Sequence, residues 1–156
     1  MLHIFIDADA CPVKEEVYRV ARRCQLNVTL VANSWMRIPN DPKIRLQVVS
    51  DGFDAADDWI VDTVEAGDIV VTADIPLAAR CIKKGASVIG TSGKPFTEES
   101  IGQALAQRDL MAELREAGLV SGGPAPLQQH NRSDFLQKLD VMIQAIRRKN
   151  LAPKTP

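Results

Sequence analysis

The sequence predicts an α/β protein in which helices cover both faces of a mostly parallel sheet, a three-layer α/β/α sandwich. Its predicted strands are short and almost continuously apolar, which is typical of strands buried on both faces. Helical patterns separate most of these runs and give the order β-α-β-β-α-β-α-β. The 156 residues, of which 46% are hydrophobic and 25% charged, are sufficient for one core. We therefore expect a single domain over residues 1–148.

The amino-terminal part of the chain predicts the centre of the sheet. An apolar run at 2–6 ends at Asp7 and predicts a central parallel strand. Pro12 suits the first turn of the next helix, whose apolar stripe continues to Cys24. A second strand is expected at 28–32.

The middle of the chain continues the alternation of strands and helices. A third strand is predicted at 44–49 and an acidic helix at 54–65. A buried strand at 69–71 precedes a helix at 76–84, and a short fifth strand follows at 87–89. Glycine and proline residues separate these segments, as expected for turns and helix ends.

The carboxyl-terminal part predicts two helices. Thr97 is suited to cap a helix that runs to Gly118. A Gly- and Pro-rich linker at 121–130 then leads to a final helix at about 131–148, whose apolar face should pack on the domain. Residues 149–156 are expected to form a frayed tail.

Composition also restricts the cellular environment. The longest apolar runs are far shorter than the ~20 residues of a membrane-spanning helix, so no membrane association is expected. The chain enters a strand pattern at once, without the pattern of a signal peptide. Its three cysteines lack CxxC spacing, which argues against a disulfide framework or a structural zinc site. We expect a cytoplasmic protein.

The charges are segregated along the chain. Residues 51–74 contain eight acidic residues and no Lys or Arg, whereas the remaining residues contain 19 bases and 12 acids. A charged stretch is often only a solvated face. The position of several of these acids at predicted strand ends suggests a site instead.

Ligands bind open parallel sheets beyond the carboxyl ends of the strands, and three acidic segments meet there. The helix beginning near Asp54 brings its carboxylates to one side because steps of three and four residues return to the same face. The candidate catalytic residues are Asp7, Asp9, Asp54, Asp57, Asp58, Asp74 and Thr72.

Clustered carboxylates require a positive partner. Two of them about 4 Å apart repel by roughly 4 kcal/mol at an effective dielectric constant near 20. Hard oxygen ligands favour Mg²⁺ or Mn²⁺ over Zn²⁺. The expected metal ligands are Asp7, Asp9, Asp57, Asp58 and Asp74. The structural alternative, in which an Asp caps a helix or forms a turn, is preferred only for Asp51, Asp62 and Asp68.

Four ordered motifs resemble the YaiI/YqxD family of uncharacterised bacterial proteins. They are DADACPV at 7–13, DGFDAAD at 51–57, GDIVVTADIPLA at 67–78 and GPAP at 123–126. The resemblance covers residues 1–148.

That family is in turn similar to PIN-like domains, which are metal-dependent nucleases. The resemblance implies a PIN-like fold and phosphodiester hydrolysis, with Asp7 and Asp74 at the two matching acidic positions and a middle acid within 54–58. Asp9 is an additional early acid, and this departure from the PIN-like pattern leaves the ligand set open. RNA or another single-stranded nucleic acid is the implied partner, and Thr72 would hydrogen-bond a ligand or the scissile phosphate.

Two other functions fit parts of the pattern. Asp7 and Asp9 also resemble the nucleophile and general acid of haloacid-dehalogenase-like phosphatases, although the late acidic pair of that family has no counterpart after Lys94. A non-catalytic nucleic-acid-binding or regulatory module is the third reading, because the carboxyl-terminal helix ends in basic residues. Trp35 and Trp59 could stack on bases, with Trp59 the better candidate for the core.

Overall fold

The computed structural model describes residues 2–50, 52, 54–118 and 129–151. Its strands are β1 (His3–Asp7), β2 (Asn27–Ala32), β3 (Ile44–Val48), β4 (Ile69–Val71), β5 (Ser87–Ile89) and β6 (Pro95–Phe96). Its helices are α1 (Lys14–Cys24), α2 (Ala55–Thr63), α3 (Ile75–Lys83), α4 (Glu98–Glu116) and α5 (Gln129–Leu151), with a short 3-10 helix at Ala8–Ala10. The predicted α/β fold with a carboxyl-terminal helix is confirmed.

The sheet has the strand order β3-β2-β1-β4-β5-β6 and is parallel except for β6. The chain leaves β1 toward β2 and β3 on one side, then crosses to β4 and β5 on the other. Ile6 in the centre pairs with Leu30 and with Val71. The reversal of strand order therefore falls between β1 and β4, where such sheets form a ligand crevice.

Both faces of the sheet are covered, as the continuous apolar strands predict. Ile4 and Ile6 of β1 belong to the core on the side of α1 and α5. Phe5 between them points to the opposite core, which contains apolar side chains of α2, α3 and α4. Successive strand residues alternate between the faces, so a strand with two buried faces needs no polar residue.

Helix α5 packs closely against the domain, with Phe135, Leu139 and Ile143 fully buried. The turn before β6 allows this approach, because a Cβ atom added at Gly93 would lie 3.1 Å from the Cα of Phe135. Gly93 also has a φ of +91°, which favours glycine. Glycine at position 93 is thus explained by the close packing of α5.

Most predicted bounds differ from the observed ones by one or two residues, and three elements differ in a further way. Helix α1 begins at Lys14, because the two preceding residues form a turn. The two-residue strand β6 was not predicted, since two residues carry no periodic signal. Helix α5 is longer at both ends and includes residues 129–130 and 149–151, because no proline interrupts it there. The linker at 121–128 and the tail at 152–156 lie outside the described residues.

Among the helices of the described ranges, none has both the length and the apolar character that a bilayer-spanning segment requires.

Candidate acidic site

The two strongest sequence candidates lie next to each other at the carboxyl edge of the sheet. Asp7 is the last residue of β1, and Asp74 follows the neighbouring strand β4. Both therefore lie at the reversal of strand order. The protein is thus an open α/β protein with carboxylates at the point where the strand order reverses. In this class of fold, ligands bind beyond the carboxyl ends of the strands.

A small open cavity of about 170 Å³ occupies this position. We call it the acidic cavity, and its lining residues are Asp7, Asp9, Asn33, Asp54, Ala55, Ala56, Asp57 and Asp74. Five of them are carboxylates and none is a Lys or Arg. The structure thus brings the three acidic segments together around one cavity, as the sequence predicts.

Thr72 connects the two central aspartates. Its hydroxyl donates to Oδ2 of Asp7 at 3.0 Å and accepts the backbone N–H of Asp74 at 2.9 Å. The side chain is almost fully buried, with 1% exposed. Thr72 therefore orients a candidate metal ligand, and a direct contact with a scissile phosphate does not fit its burial.

Asp74 also caps helix α3. Its Oδ1 accepts the backbone N–H of Leu77 at 3.0 Å, and Pro76 occupies the first turn. The cap accounts for one carboxylate oxygen only. Among the described residues, Oδ2 has no hydrogen-bond partner, so the structural role and a ligand role are compatible.

Asp9 is held in a similar way from the other side. It lies on the 3-10 helix after β1, and its Oδ2 accepts the backbone N–H of Asn33 at 3.0 Å. Asn33 follows the end of β2 and lines the acidic cavity itself. It is the lining polar residue that the sequence prediction missed, because its position directly after a strand becomes informative only once β2 is known to lie beside β1.

Asp54 and Asp57 reach the cavity from the start of α2. Asp54 immediately precedes the helix with a φ of 61°, a left-handed conformation that Asp tolerates better than most residues. Strained backbone of this kind is concentrated at functional sites. Asp57, three residues later, lies on the same side of the helix.

Asp58 does not line the acidic cavity, which corrects the expected ligand set. One further residue turns a helix by about 100°, and Asp58 instead pairs with Arg80, with Oδ1 and Nη1 3.0 Å apart. Both side chains are substantially exposed, so the pair adds little stability. The Arg80 guanidinium also lies close enough to Asp57 to lower the pKa of that carboxyl, against the other contributions that raise it.

Two carboxylates of the acidic cavity, Asp7 and Asp57, have a raised pKa. Burial raises the pKa of Asp7, with further contributions from Asp74 and Asp9, while the hydrogen bond from Thr72 opposes the shift. Burial, followed by repulsion from Asp74, Asp7 and Asp54, raises the pKa of Asp57 to about 6. The cavity is therefore a region where a bound proton or cation is favoured.

Other sequence candidates have structural explanations. Asp68 is buried at the opposite edge of the sheet, where its carboxylate accepts the N–H groups of His3 and Glu65. Cys11 is buried and its pKa is raised, chiefly by burial, as expected for a packed thiol. Trp59 is partly buried and packs edge-on against Phe5, with ring centroids 6.2 Å apart, so it lies against the core on the α2 side. Asp51 lies outside the described residues.

The donor set fits a hard divalent ion, but its geometry is open. Carboxylate oxygens surround the cavity, and the side chain of Asn33 adds an amide, which are ligands that Mg²⁺ and Mn²⁺ accept. Within the described ranges, no three His, Cys, Asp or Glu side chains converge closely enough to form a metal site. An ion here would be held through few carboxylates and through water, as is usual for Mg²⁺.

Comparison with known proteins gives the family. The family model described as "Uncharacterized BCR, YaiI/YqxD family" matches residues 5–145, and the chain belongs to this family. A UPF0178 protein from Rhodopseudomonas palustris is 54% identical over 153 residues, which are 98% of this chain and 97% of the relative. A UPF0178 protein from Rhodospirillum rubrum is 57% identical over 148 residues, 94% of this chain and 99% of the relative. No solved structure gave a significant match.

Proposed function

We propose that the protein hydrolyses phosphodiester bonds with a divalent metal ion, Mg²⁺ or Mn²⁺, held at the acidic cavity. The observation that carries the proposal is the set of five carboxylates around one small cavity without a lining Lys or Arg. Such a set is unfavourable unless a cation or protons neutralise it. Burial, and then repulsion from Asp74, Asp7 and Asp54, raises the pKa of Asp57 to about 6, which agrees with this expectation.

Three of the carboxylates are preorganised for ligand binding. Thr72 holds Oδ2 of Asp7, the start of α3 holds Oδ1 of Asp74, and Asn33 holds Oδ2 of Asp9. In the part of the chain that the structure describes, the second oxygen of each has no hydrogen-bond partner. These free oxygens are the atoms that we assign to the ion.

Each side chain then has a defined task. Asp7 and Asp74 would bind the ion directly, while Asp9, Asp54 and Asp57 complete its surroundings or orient a water. When bound, such an ion lowers the pKa of a coordinated water and neutralises phosphate charge. Asp57 lines the same cavity and would be the base toward such a water.

The resemblance to PIN-like nucleases supports the same reading, since Asp7 and Asp74 match the two acidic positions of that pattern. The phosphatase alternative has less support. It requires a Lys, and the described lining of the acidic cavity has none. The binding-module alternative remains as the outcome to which a negative activity test would lead.

Cleavage of single-stranded RNA in Mn²⁺ tests the proposal. We expect slow hydrolysis that EDTA stops, and a loss of at least about tenfold, or ~1.4 kcal/mol in the barrier, in Asp7→Asn and in Asp74→Asn. Asp62→Asn is the matched control because this exposed residue lies on α2 outside the cavity. If RNA, single-stranded DNA and duplex substrates all remain intact while metal binding is verified, the nuclease proposal is wrong.

A further inference from the structure

Trp35 lies on the loop after β2 and exposes 76% of its side chain. Val48, Leu110 and Val141 are the other large exposed apolar residues of the described ranges, and each is less exposed. A single exposed apolar residue is ordinary. Trp, however, gains more than most side chains from burial, so exposure of a whole indole ring is unfavourable.

The loop is anchored on both sides of Trp35. Before it, the backbone N–H of Asn33 binds the Asp9 carboxylate at 3.0 Å. After it, Met36 and Ile38 are partly buried against the core on the α1 side. The backbone is therefore attached to the domain on both sides of Trp35. The indole between these two attachments is exposed to solvent.

The anchored loop also places Trp35 beside the acidic cavity. Asn33 lines that cavity, and two residues of chain span at most about 7 Å. An exposed aromatic face thus lies near the position assigned to the scissile phosphodiester.

A positive charge follows on the same loop. Arg37 is exposed, and it belongs to none of the ion pairs formed among the described residues. A guanidinium presents several donors that match phosphate oxygens. The loop that begins at the acidic cavity therefore carries an exposed aromatic ring and, two residues later, an exposed cation.

We infer that Trp35 stacks on an unpaired nucleobase next to the scissile phosphodiester, and that Arg37 contacts a neighbouring phosphate. This inference rests on the proposed function and deepens it, because it selects single-stranded nucleic acid over small phosphodiesters and duplexes. A base in a duplex is already stacked on its neighbours, whereas an unpaired base offers a face to an aromatic ring.

Equilibrium binding of a short fluorescein-labelled single-stranded RNA in Ca²⁺ tests the inference, with cleavage followed on the same samples. Trp35→Ala should weaken binding by about tenfold or more, the range expected for loss of one stacked base. Trp35→Phe should retain most of the affinity because it keeps an aromatic face. The control Val141→Ala, an exposed apolar residue on α5, should bind as the unsubstituted protein does.

Tryptophan fluorescence reports directly on contact between Trp35 and RNA. A purely structural role of Trp35 would produce no change in its emission when RNA is added. RNA should quench the emission of the unsubstituted protein, and the quenching should disappear in Trp35→Phe, where only the packed Trp59 emits. Unchanged affinity in Trp35→Ala, or unchanged Trp35 emission at saturating RNA, would overturn the inference. So would self-association that buries Trp35, detected by sedimentation.

Two further measurements on the same protein distinguish a failure of this inference from a failure of the proposed function. Stabilisation by Mn²⁺ and hydrolysis of bis(p-nitrophenyl) phosphate report on the acidic cavity alone. If both are present and Trp35 has no effect on RNA binding, the stacking assignment fails and the proposed function stands. If both are absent while binding depends on Trp35, the proposed hydrolysis fails.

Discussion

At the scale of single residues, the carboxylates of the acidic cavity combine structural and chemical tasks. Asp7, Asp9 and Asp74 each use one oxygen in a hydrogen bond within the domain. Those bonds fix the side chains without neutralising them. Asp54 and Asp57 have no comparable side-chain hydrogen bond among the described residues, and burial together with the neighbouring carboxylates raises the pKa of Asp57 to about 6.

Asp57 should therefore make the stability of the metal-free protein depend on pH. Its pKa of about 6 in the folded state exceeds the ordinary value of 3.8, so the folded state binds more protons between these values. The contribution of Asp57 to stability is complete below about pH 4 and is lost as the pH rises through 6. Denaturant unfolding in EDTA across this range should show the fall.

Asp57→Asn should flatten this part of the profile, and Asp62→Asn should leave it unchanged. Carboxyl chemical shifts from NMR would locate the titration directly, and Mg²⁺ should move it to lower pH. A metal-free profile that is identical in Asp57→Asn and in the unsubstituted protein would contradict the assignment.

Thr72 offers a test of positioning. Thr72→Val keeps the shape but leaves the Asp74 N–H and the Asp7 carboxylate without their shared partner, which should cost about 1–3 kcal/mol of stability. Weaker Mn²⁺ binding should accompany the loss, and Thr72→Ser should recover most of both. Equal Mn²⁺ affinity in Thr72→Val, measured by titration, would show that the hydroxyl has only a structural role.

At the scale of elements, the cap of α3 allows structure and function to be separated at Asp74. Asn caps a helix about as well as Asp, whereas Ala does not, at a cost of about 1 kcal/mol. We expect Asp74→Asn to keep its metal-free stability and lose Mn²⁺ binding. Asp74→Ala should lose both in parallel measurements of unfolding and Mn²⁺ titration. Retained Mn²⁺ binding in Asp74→Asn would make this residue a cap alone.

Helix α5 should behave as part of the core. Leu139 is fully buried, so Leu139→Ala should destabilise the protein by about 2–5 kcal/mol. Val141→Ala on the exposed side of the same helix should change stability by less than about 0.5 kcal/mol. A small loss in Leu139→Ala, measured by chemical denaturation, would mean that α5 is dispensable for the fold.

Most of the elements could be predicted from the sequence because two-sided burial leaves uninterrupted apolar runs such as that of β1. The same reasoning placed Asp7 and Asp74 at strand ends. It could not place Asn33, whose role depends on which strand lies beside β1. It also failed for Asp58, because a shift of one residue on a helix changes the side that a carboxylate faces.

At the scale of the whole molecule, topology explains why the acids meet. The chain places β2 and β3 on one side of β1, and β4 and β5 on the other. Segments far apart in sequence thereby bring their carboxyl ends to one crevice. The acidic stretch at 51–74 supplies carboxylates to this crevice, whereas the rest of the chain is mildly basic. This basic remainder would favour the approach of a phosphate backbone once a cation occupies the cavity.

The most direct test of divalent-ion binding at the acidic cavity is the unfolding free energy with and without Mn²⁺. At a hundred times its dissociation constant, the ion should stabilise the protein by about 2.7 kcal/mol. Asp7→Asn combined with Asp74→Asn should abolish this gain and be no less stable than the unsubstituted protein in EDTA, since repulsion is relieved and Asn retains the cap. An equal gain in the double variant, or no gain in the unsubstituted protein, would contradict a metal site at the acidic cavity.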